Sequence, residues 1–204
     1  DAFIRNGKIE FIYLGDHHYD SNINNLVPIS TTFPSSHSKD SIAAVVDEVQ
    51  RFITKVNFKQ GGINIEARIS AKDHKVYLIE VGPRNGGNFT PIIIQYASGF
   101  NFMDACLDVF LNMEYAEQHP CKKGFYAYMI IHSKQDGILA QIEIDSALSS
   151  KVFQRYDYLH IGEMVRSFKG ANSAIGVLLV RFDSMEQMTE YVDNMERYCK
   201  VRLQ

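Results

Sequence analysis

Two glutamates in neighbouring strand-like segments are the residues of this sequence whose types and spacing best suit chemistry. Glu66 lies in the segment Gly61–Arg68 and Glu80 in the segment Val76–Gly87, with residues 71–75 forming a turn between them. If the resulting hairpin brings both side chains onto one face, the two carboxylates lie side by side. Close carboxylates repel, and burial would keep one of them protonated unless a cation lies between them.

The ligand types indicate which cation would suit this pair. Oxygen ligands that are few in number and have no Cys or His companions favour Mg²⁺ or Mn²⁺, held jointly with phosphate oxygens. The residues after Glu80 suit an anion, because Arg84 offers a planar fork of donors. Asn85, Gly86 and Gly87 can bring backbone N–H groups close to the same ligand, since glycine has no Cβ in the way.

The alternation of side chains along a strand assigns these residues to faces. On the first strand Asn64, Glu66 and Arg68 share one face. On the second strand strict alternation predicts that Leu78 and Glu80 share a face. The sequence alone leaves open whether the two glutamates point to the same side.

A structural role is the competing interpretation of each glutamate. Carboxylates near strand ends are commonly solvated or salt-bridged, and Arg68 or Arg84 could be the partner of either one. For the whole constellation of two carboxylates, arginine and paired glycines, the site interpretation is favoured. Arg68 then steers Glu66 or touches the substrate.

The sequence motif resembles a known family. Gly-x-Asn-Ile-Glu, followed by Tyr-Leu-Ile-Glu-Val-x-Pro-Arg-x-Gly-Gly, is similar to the metal- and phosphate-binding end of the ATP-grasp superfamily, and the resemblance continues to Asn101. Within the superfamily it is similar to carbamoyl-phosphate-synthase-like and L-amino-acid-ligase-like proteins. The resemblance implies a ligase in which ATP phosphorylates a carboxylate and an amine attacks the acyl phosphate.

By motif position, the resemblance implies a role for each residue of the constellation. Glu66 and Glu80 would be the magnesium ligands, and Arg84 would be the catalytic residue that contacts phosphate or the acyl phosphate. The loop Asn85–Gly87, together with Arg68, would bind the cofactor, ATP. Many family members carry a further ligand, Asn, two residues after the second glutamate, where this chain has Gly82. No third protein ligand is therefore assigned, and strict carbamoyl phosphate synthesis is disfavoured.

Two other functions stay open at this point: a non-catalytic ATP-grasp-like binding module, and an enzyme of the carbamoyl-phosphate-synthase type. The resemblance begins inside the lobe that covers the nucleotide, so we expect a glycine-rich loop and the ATP-gripping lysines to precede Asp1. The 204-residue piece by itself is then expected to have negligible ATP affinity and no turnover.

Composition and net charge limit the classes of partner that the protein is expected to bind. A net charge of −3 provides no basic field for nucleic acid, and no apolar run approaches the ~20 residues of a membrane helix. Three scattered cysteines lack zinc spacing, which is typical of a reduced, cytoplasmic protein. Small-molecule carboxylate and amine substrates are expected, and a homodimer stays open.

The elements that position the site are predicted from local pattern. The α+β chain divides into the carboxy-terminal part of an ATP-grasp domain, 1–115, and a small antiparallel accessory α+β domain, 116–204, with a polar connector at 114–123. The main expected elements are a hairpin at Asn6-Gly7, a helix with an apolar stripe from Ile42 to Val56, helices over 90–99 and 102–112, strands over 125–131, 137–144 and 174–182, and a helix from Ser184 through Tyr198.

A polar loop over 15–25 contains the adjacent pair His17 and His18. Neighbouring residues of an extended chain point to opposite faces, so we expect these two not to share a metal ion.

Overall fold

The computed structural model describes residues 1–23, 26–113, 118–121 and 124–204. Over these ranges the strands are β1 Ala2–Arg5, β2 Lys8–Ile12, β3 Asp16–His18, β4 Ser30–Phe33, β5 Gly61–Ile69, β6 Val76–Gly82, β7 Phe125–Ile131, β8 Gly137–Ile144, β9 Val152–Asp157, β10 Met164–Val165, β11 Gly176–Phe182 and β12 Cys199–Leu203. The α-helices are α1 Lys39–Val56, α2 Thr90–Ser98, α3 Phe102–Phe110, α4 Ser146–Ser149, α5 Met185–Asp193 and α6 Met195–Tyr198. The predicted α+β class is confirmed.

The chain forms two compact units that alternate along the sequence. The first unit is Asp1–Leu14 with Ser35–Lys123, and the second is Gly15–Pro34 with Gly124–Gln204. The predicted domains, 1–115 and 116–204, are consecutive instead. The difference arises because β4 pairs with both β3 and β7, which places residues 15–34 in the second unit. Residues 114–117 and 122–123 of the predicted connector lie outside the described residues.

The first unit is built on a four-stranded antiparallel sheet in the order β2-β1-β5-β6. The predicted hairpin between β1 and β2 is confirmed, and Asn6 and Gly7 adopt the left-handed backbone that this turn requires. Helix α1 begins at its N-cap Ser38, whose side chain accepts from the Ser41 N–H, and its apolar stripe packs into the core under the sheet.

Helices α2 and α3 follow the β5–β6 hairpin as predicted. Gly99 ends α2 in the left-handed conformation, and the Asn101 side chain caps α3 by accepting from the Asp104 N–H. An aromatic cluster lies beneath them, in which the rings of Phe11 and Phe100 stack with centroids 4.0 Å apart.

The second unit contains a five-stranded sheet, β3-β4-β7-β11-β9, and a three-stranded sheet, β10-β8-β12. The methionines on the helix after Ser184 pack into its core, and Met188 and Met195 are buried as predicted. The predicted single helix to Tyr198 was wrong at its end, because the chain breaks at Asn194 into α5 and α6. Strand β12, which pairs with β8, was not predicted.

Within the predicted loop 15–25, residues Asp16–His18 form a short strand, so the prediction was wrong there. The two histidines do point apart. His17 Nδ1 lies 2.6 Å from Thr31 Oγ1, whereas His18 Nε2 lies 3.0 Å from Thr32 Oγ1. Among the described helices, none combines the length and the apolar character that crossing a membrane requires.

Candidate functional site

The register of β5 and β6 places the two glutamates directly opposite each other. Glu66 is the cross-strand partner of Glu80 in this antiparallel ladder. Directly opposed residues point to the same face, with Cβ atoms about 4.5–5.5 Å apart. The question that the sequence left open is therefore answered, and the two carboxylates share the face of the hairpin that is turned away from the core.

A β-bulge at Ile79 makes this arrangement compatible with the core. The register moves from Glu66 opposite Glu80 to Ala67 opposite Leu78, so Ile79 has no cross-strand partner. The prediction that Leu78 and Glu80 share a face was wrong. Leu78 packs on the core side with Ala67, and the extra residue turns Glu80 to the opposite side.

Each glutamate has an arginine near it, but neither pair is tight. Arg68 Nη2 lies 3.5 Å from Glu66 Oε1, and Arg84 Nη2 lies 3.7 Å from Glu80 Oε1. Charge-assisted hydrogen bonds are normally about 2.7–2.9 Å long. The glutamate side chains are 32% and 66% exposed, respectively, so solvent screens both contacts. The salt-bridge interpretation accounts for the neighbours of the pair and leaves both carboxylates available as ligands.

Arg84 folds back over the strand that precedes it. Its Cγ would lie 3.4 Å from a Cβ placed on Gly82, so a bulkier residue there would crowd the arginine stem. Its Nη1 donates a 2.9 Å hydrogen bond to the carbonyl oxygen of Asn85. The guanidinium group is thus held beside Glu80 and at the start of the predicted phosphate loop.

The three loop residues predicted to bind the cofactor occupy different environments. The Asn85 side chain points inward, where its Oδ1 lies 3.4 Å from Cys106 Sγ. The Gly86 N–H donates to the carboxylate of Asp1 at 2.7 Å, so this donor is already used. Gly87 is exposed, and a Cβ built on it would have no neighbour within 4 Å. Of the three loop residues, only Gly87 is exposed.

The loop enters α2 through strained backbone. Asn88 and Phe89 have φ values of 51° and 63°, and the left-handed region is costly for a bulky residue such as Phe89. The Thr90 hydroxyl donates to the Gly87 carbonyl oxygen at 2.7 Å and closes the turn. Pro91 then stands in the first turn of α2, where its missing N–H costs nothing.

Sequence reasoning missed Asp1, the buried carboxylate of this region. Asp1 is 7% exposed. Its carboxylate accepts hydrogen bonds from Asn64 and Gly86, which are 63 and 85 positions away. A single acidic residue at the start of a strand carries no local signal of such contacts. The position could be recognised only from the fold.

The donor set of the site fits magnesium. Glu66 and Glu80 supply two carboxylates on one face of the hairpin, with the guanidinium groups of Arg68 and Arg84 beside them. Among the described residues no group of three or more His, Cys, Asp or Glu side chains is placed to hold a metal ion. Two carboxylates suit Mg²⁺, which keeps several waters and takes phosphate oxygens as further ligands.

Comparison with known proteins supports the fold. No protein-family model matches the chain, and no curated protein matches it. Similar solved structures include phosphoribosylglycinamide synthetase from Anaerococcus prevotii (19% identical, TM-score 0.81, all of this chain and 52% of that one) and L-amino acid ligase from Bacillus licheniformis (19% identical, TM-score 0.84, all of this chain and 50% of that one). The biotin carboxylase domain of Hydrogenobacter thermophilus 2-oxoglutarate carboxylase, solved with MgADP, ADP and bicarbonate, is 11% identical (TM-score 0.68, 98% and 45% covered).

The chain therefore has the fold of these solved structures, in agreement with the ATP-grasp resemblance of the sequence motif. It spans about half the length of the solved structures that it matches. Identities below 20% carry the fold and leave the roles of individual residues as predictions. The metal role of Glu66 and Glu80, and the phosphate roles of Arg84 and its loop, belong to the proposal below.

Proposed function

We propose that the protein carrying this chain is an ATP- and magnesium-dependent ligase that joins a small carboxylic acid, such as an amino acid, to an amine through an acyl phosphate. The observation that carries the proposal is the direct pairing of Glu66 with Glu80 on the open face of the β5–β6 hairpin. Like charges directly opposite each other destabilise a ladder. The pairing of two glutamates on one face therefore suits a cation that both carboxylates bind. The ligases among the structural neighbours support the same function.

In this proposal the carboxylates of Glu66 and Glu80 would hold Mg²⁺. When bound, the metal neutralises charge that develops on the transferred phosphoryl group. Arg68, 3.5 Å from Glu66 Oε1, orients that ligand from the neighbouring position on the same face. The weak exposed contact lets Glu66 change partner when the ion enters.

Arg84 acts on the phosphoryl group itself. Its contact with Glu80 at 3.7 Å is long and exposed, so a phosphate can displace the carboxylate as the partner of Nη2. The 2.9 Å bond from Nη1 to the Asn85 carbonyl oxygen keeps the guanidinium near the loop meanwhile. The planar fork then stabilises the charge of the phosphoryl group in transfer. The backbone N–H of Gly87, an exposed residue, would add a further donor.

The substitution Glu80→Gln in the complete protein tests the proposal. The amide keeps the size of the side chain and removes the charge that binds the cation. Magnesium-dependent ADP release in the presence of amino acids should fall by about 100-fold or more. Glu143→Gln is the matched control, because Glu143 is also an exposed strand residue beside an arginine. Equal ADP release from the wild type and Glu80→Gln would contradict the proposal and favour a non-catalytic module.

The substrate that stimulates ADP release distinguishes the proposed ligase from an enzyme of the carbamoyl-phosphate-synthase type. Addition of amino acids should raise ADP release, whereas stimulation by bicarbonate alone would indicate an enzyme of the carbamoyl-phosphate-synthase type. The similarity to an L-amino acid ligase supports the first outcome. The 204-residue chain alone should show no ATP turnover. Sedimentation of the complete protein tests whether it forms a homodimer, which the sequence leaves open.

A further inference from the structure

Asn64 stands on the same face of β5 as the glutamate pair. It precedes Glu66 by two positions, and side chains two residues apart in a strand point to the same face. Its cross-strand partner is Gly82. Because Gly82 has no side chain, the residue opposite Asn64 contributes no group of its own to this face. Asn64, Glu66 and Glu80 therefore form a triangle of oxygen-bearing side chains.

A buried carboxylate determines which way the Asn64 amide is turned. Asp1 Oδ1 accepts a 2.7 Å hydrogen bond from Asn64 Nδ2. An ionised carboxylate only accepts, so the nitrogen of the amide must face Asp1 and the oxygen must face away. Over the parts of the chain that the structure describes, this bond is the only side-chain hydrogen bond of Asn64, and its Oδ1 has no partner.

We propose that Asn64 Oδ1 is a third protein ligand of the cation, beside Glu66 and Glu80, and that Asp1 is the positioning residue that presents it. This inference rests on the proposed magnesium role of the two glutamates. Amide oxygens are ordinary ligands of hard cations, and a side chain bonded to the far side of a ligand fixes its orientation. A neutral third ligand also adds no charge to the pair.

The Asp1 carboxylate also contacts the loop that follows Arg84. Asp1 Oδ2 accepts a 2.7 Å hydrogen bond from the Gly86 N–H. A Cβ on Gly86 would lie 2.9 Å from Asp1 Oδ1, so only glycine lets the loop approach this closely. The buried Asp1 side chain thus sets the positions of Asn64 and of the loop that follows Arg84.

Titration of Mn²⁺ alone into the complete protein, followed by electron paramagnetic resonance, tests the inference. Asn64→Ala should weaken Mn²⁺ binding about tenfold, because it removes a ligand. Asp1→Asn should weaken binding about tenfold as well, because outer partners of metal ligands commonly contribute 10- to 100-fold. Glu80→Gln should weaken it at least as much as Asn64→Ala. Asp73→Asn is the matched control, since Asp73 is an exposed carboxylate in the turn of the same hairpin that accepts the Lys75 N–H.

A second measurement separates ligation from a merely structural role. Mg²⁺ should shift the side-chain amide resonances of Asn64 in the wild type, and this shift should shrink in Asp1→Asn while the chain stays folded by circular dichroism. Unchanged Mn²⁺ affinity in Asn64→Ala, together with weaker binding in Glu80→Gln, would overturn the inference and leave the proposed function standing. Affinity that is equal in wild type and Glu80→Gln would overturn both.

Discussion

Two antiparallel ladders of this molecule use the same residue types in opposite ways. In the β8–β12 ladder of the second unit, Glu143 stands opposite Lys200 and accepts two bonds from Arg202, at 3.0 and 3.1 Å. In the β5–β6 ladder of the first unit, Glu66 stands opposite Glu80, and the nearest arginines lie at 3.5 and 3.7 Å. The first arrangement pairs its charges closely within the protein, and the second leaves the two glutamates with only long contacts to arginine.

This difference between the two ladders indicates which of them is the candidate functional site. A sheet that serves only stability places unlike charges opposite each other, because like charges across a ladder are unfavourable. A local rule that is broken without compensation is typical of a functional site. Register, and not composition, distinguishes the two ladders, since both contain glutamate and arginine on exposed faces.

The largest effect on the β5–β6 side of the comparison should come from its loop. Gly86→Ala would place a Cβ 2.9 Å from both Asp1 Oδ1 and Thr90 Cβ, and should destabilise the chain by about 1–3 kcal/mol. Gly87→Ala, whose Cβ meets nothing within 4 Å, is the matched control and should leave the melting temperature nearly unchanged. Equal melting of the two variants would show that the close approach of the loop to Asp1 is wrong.

Metal addition should act on one ladder only. Because a ligand that binds the folded state stabilises it, Mn²⁺ at ten times its dissociation constant should add about 1.4 kcal/mol to the free energy of unfolding. Denaturant titration should show this gain in the wild type and in Glu143→Gln, and its loss in Glu66→Gln. A gain that survives in Glu66→Gln would place the cation elsewhere.

Without metal, neutralising one glutamate should have opposite signs in the two ladders. Glu66→Gln removes a like-charge pair and should raise the free energy of unfolding by about 0.2–1 kcal/mol. Glu143→Gln removes the partner of Arg202 and should lower it. Chemical denaturation in the presence of a chelator gives both values, and a loss of stability in each variant would remove the basis of the comparison.

The smallest expected effect concerns acid sensitivity in the second unit. Burial lowers the pKa of the His132 imidazole, whose Nδ1 lies 2.7 Å from the Ile130 carbonyl oxygen. The unfolded chain therefore binds this proton at a higher pH than the folded chain does, so stability falls as pH drops through about 6.5. His132→Gln should show a smaller drop in melting temperature between pH 7.5 and 5.5. A wild-type profile identical to that of the variant would contradict this assignment.

Several elements of the first unit were predictable because their signal is local. The Asn6-Gly7 hairpin, the stripe of α1 and the caps at Gly99 and Asn101 follow from turn chemistry and periodicity within a few residues. Strand β12 escaped prediction because its pairing with β8 is a long-range contact, and the start of the second unit at Gly15 depends on the pairing of β4 with β7.

Residue types and spacing were enough to predict that two carboxylates, an arginine and a glycine-rich turn follow one another around a hairpin. Only the tertiary structure decided that the bulge at Ile79 turns Glu80 toward Glu66, and that Asp1 joins Asn64 to Gly86. The physical reason is that register and buried hydrogen bonds are set by how the whole sheet packs on its core, and no stretch of the chain contains that information alone.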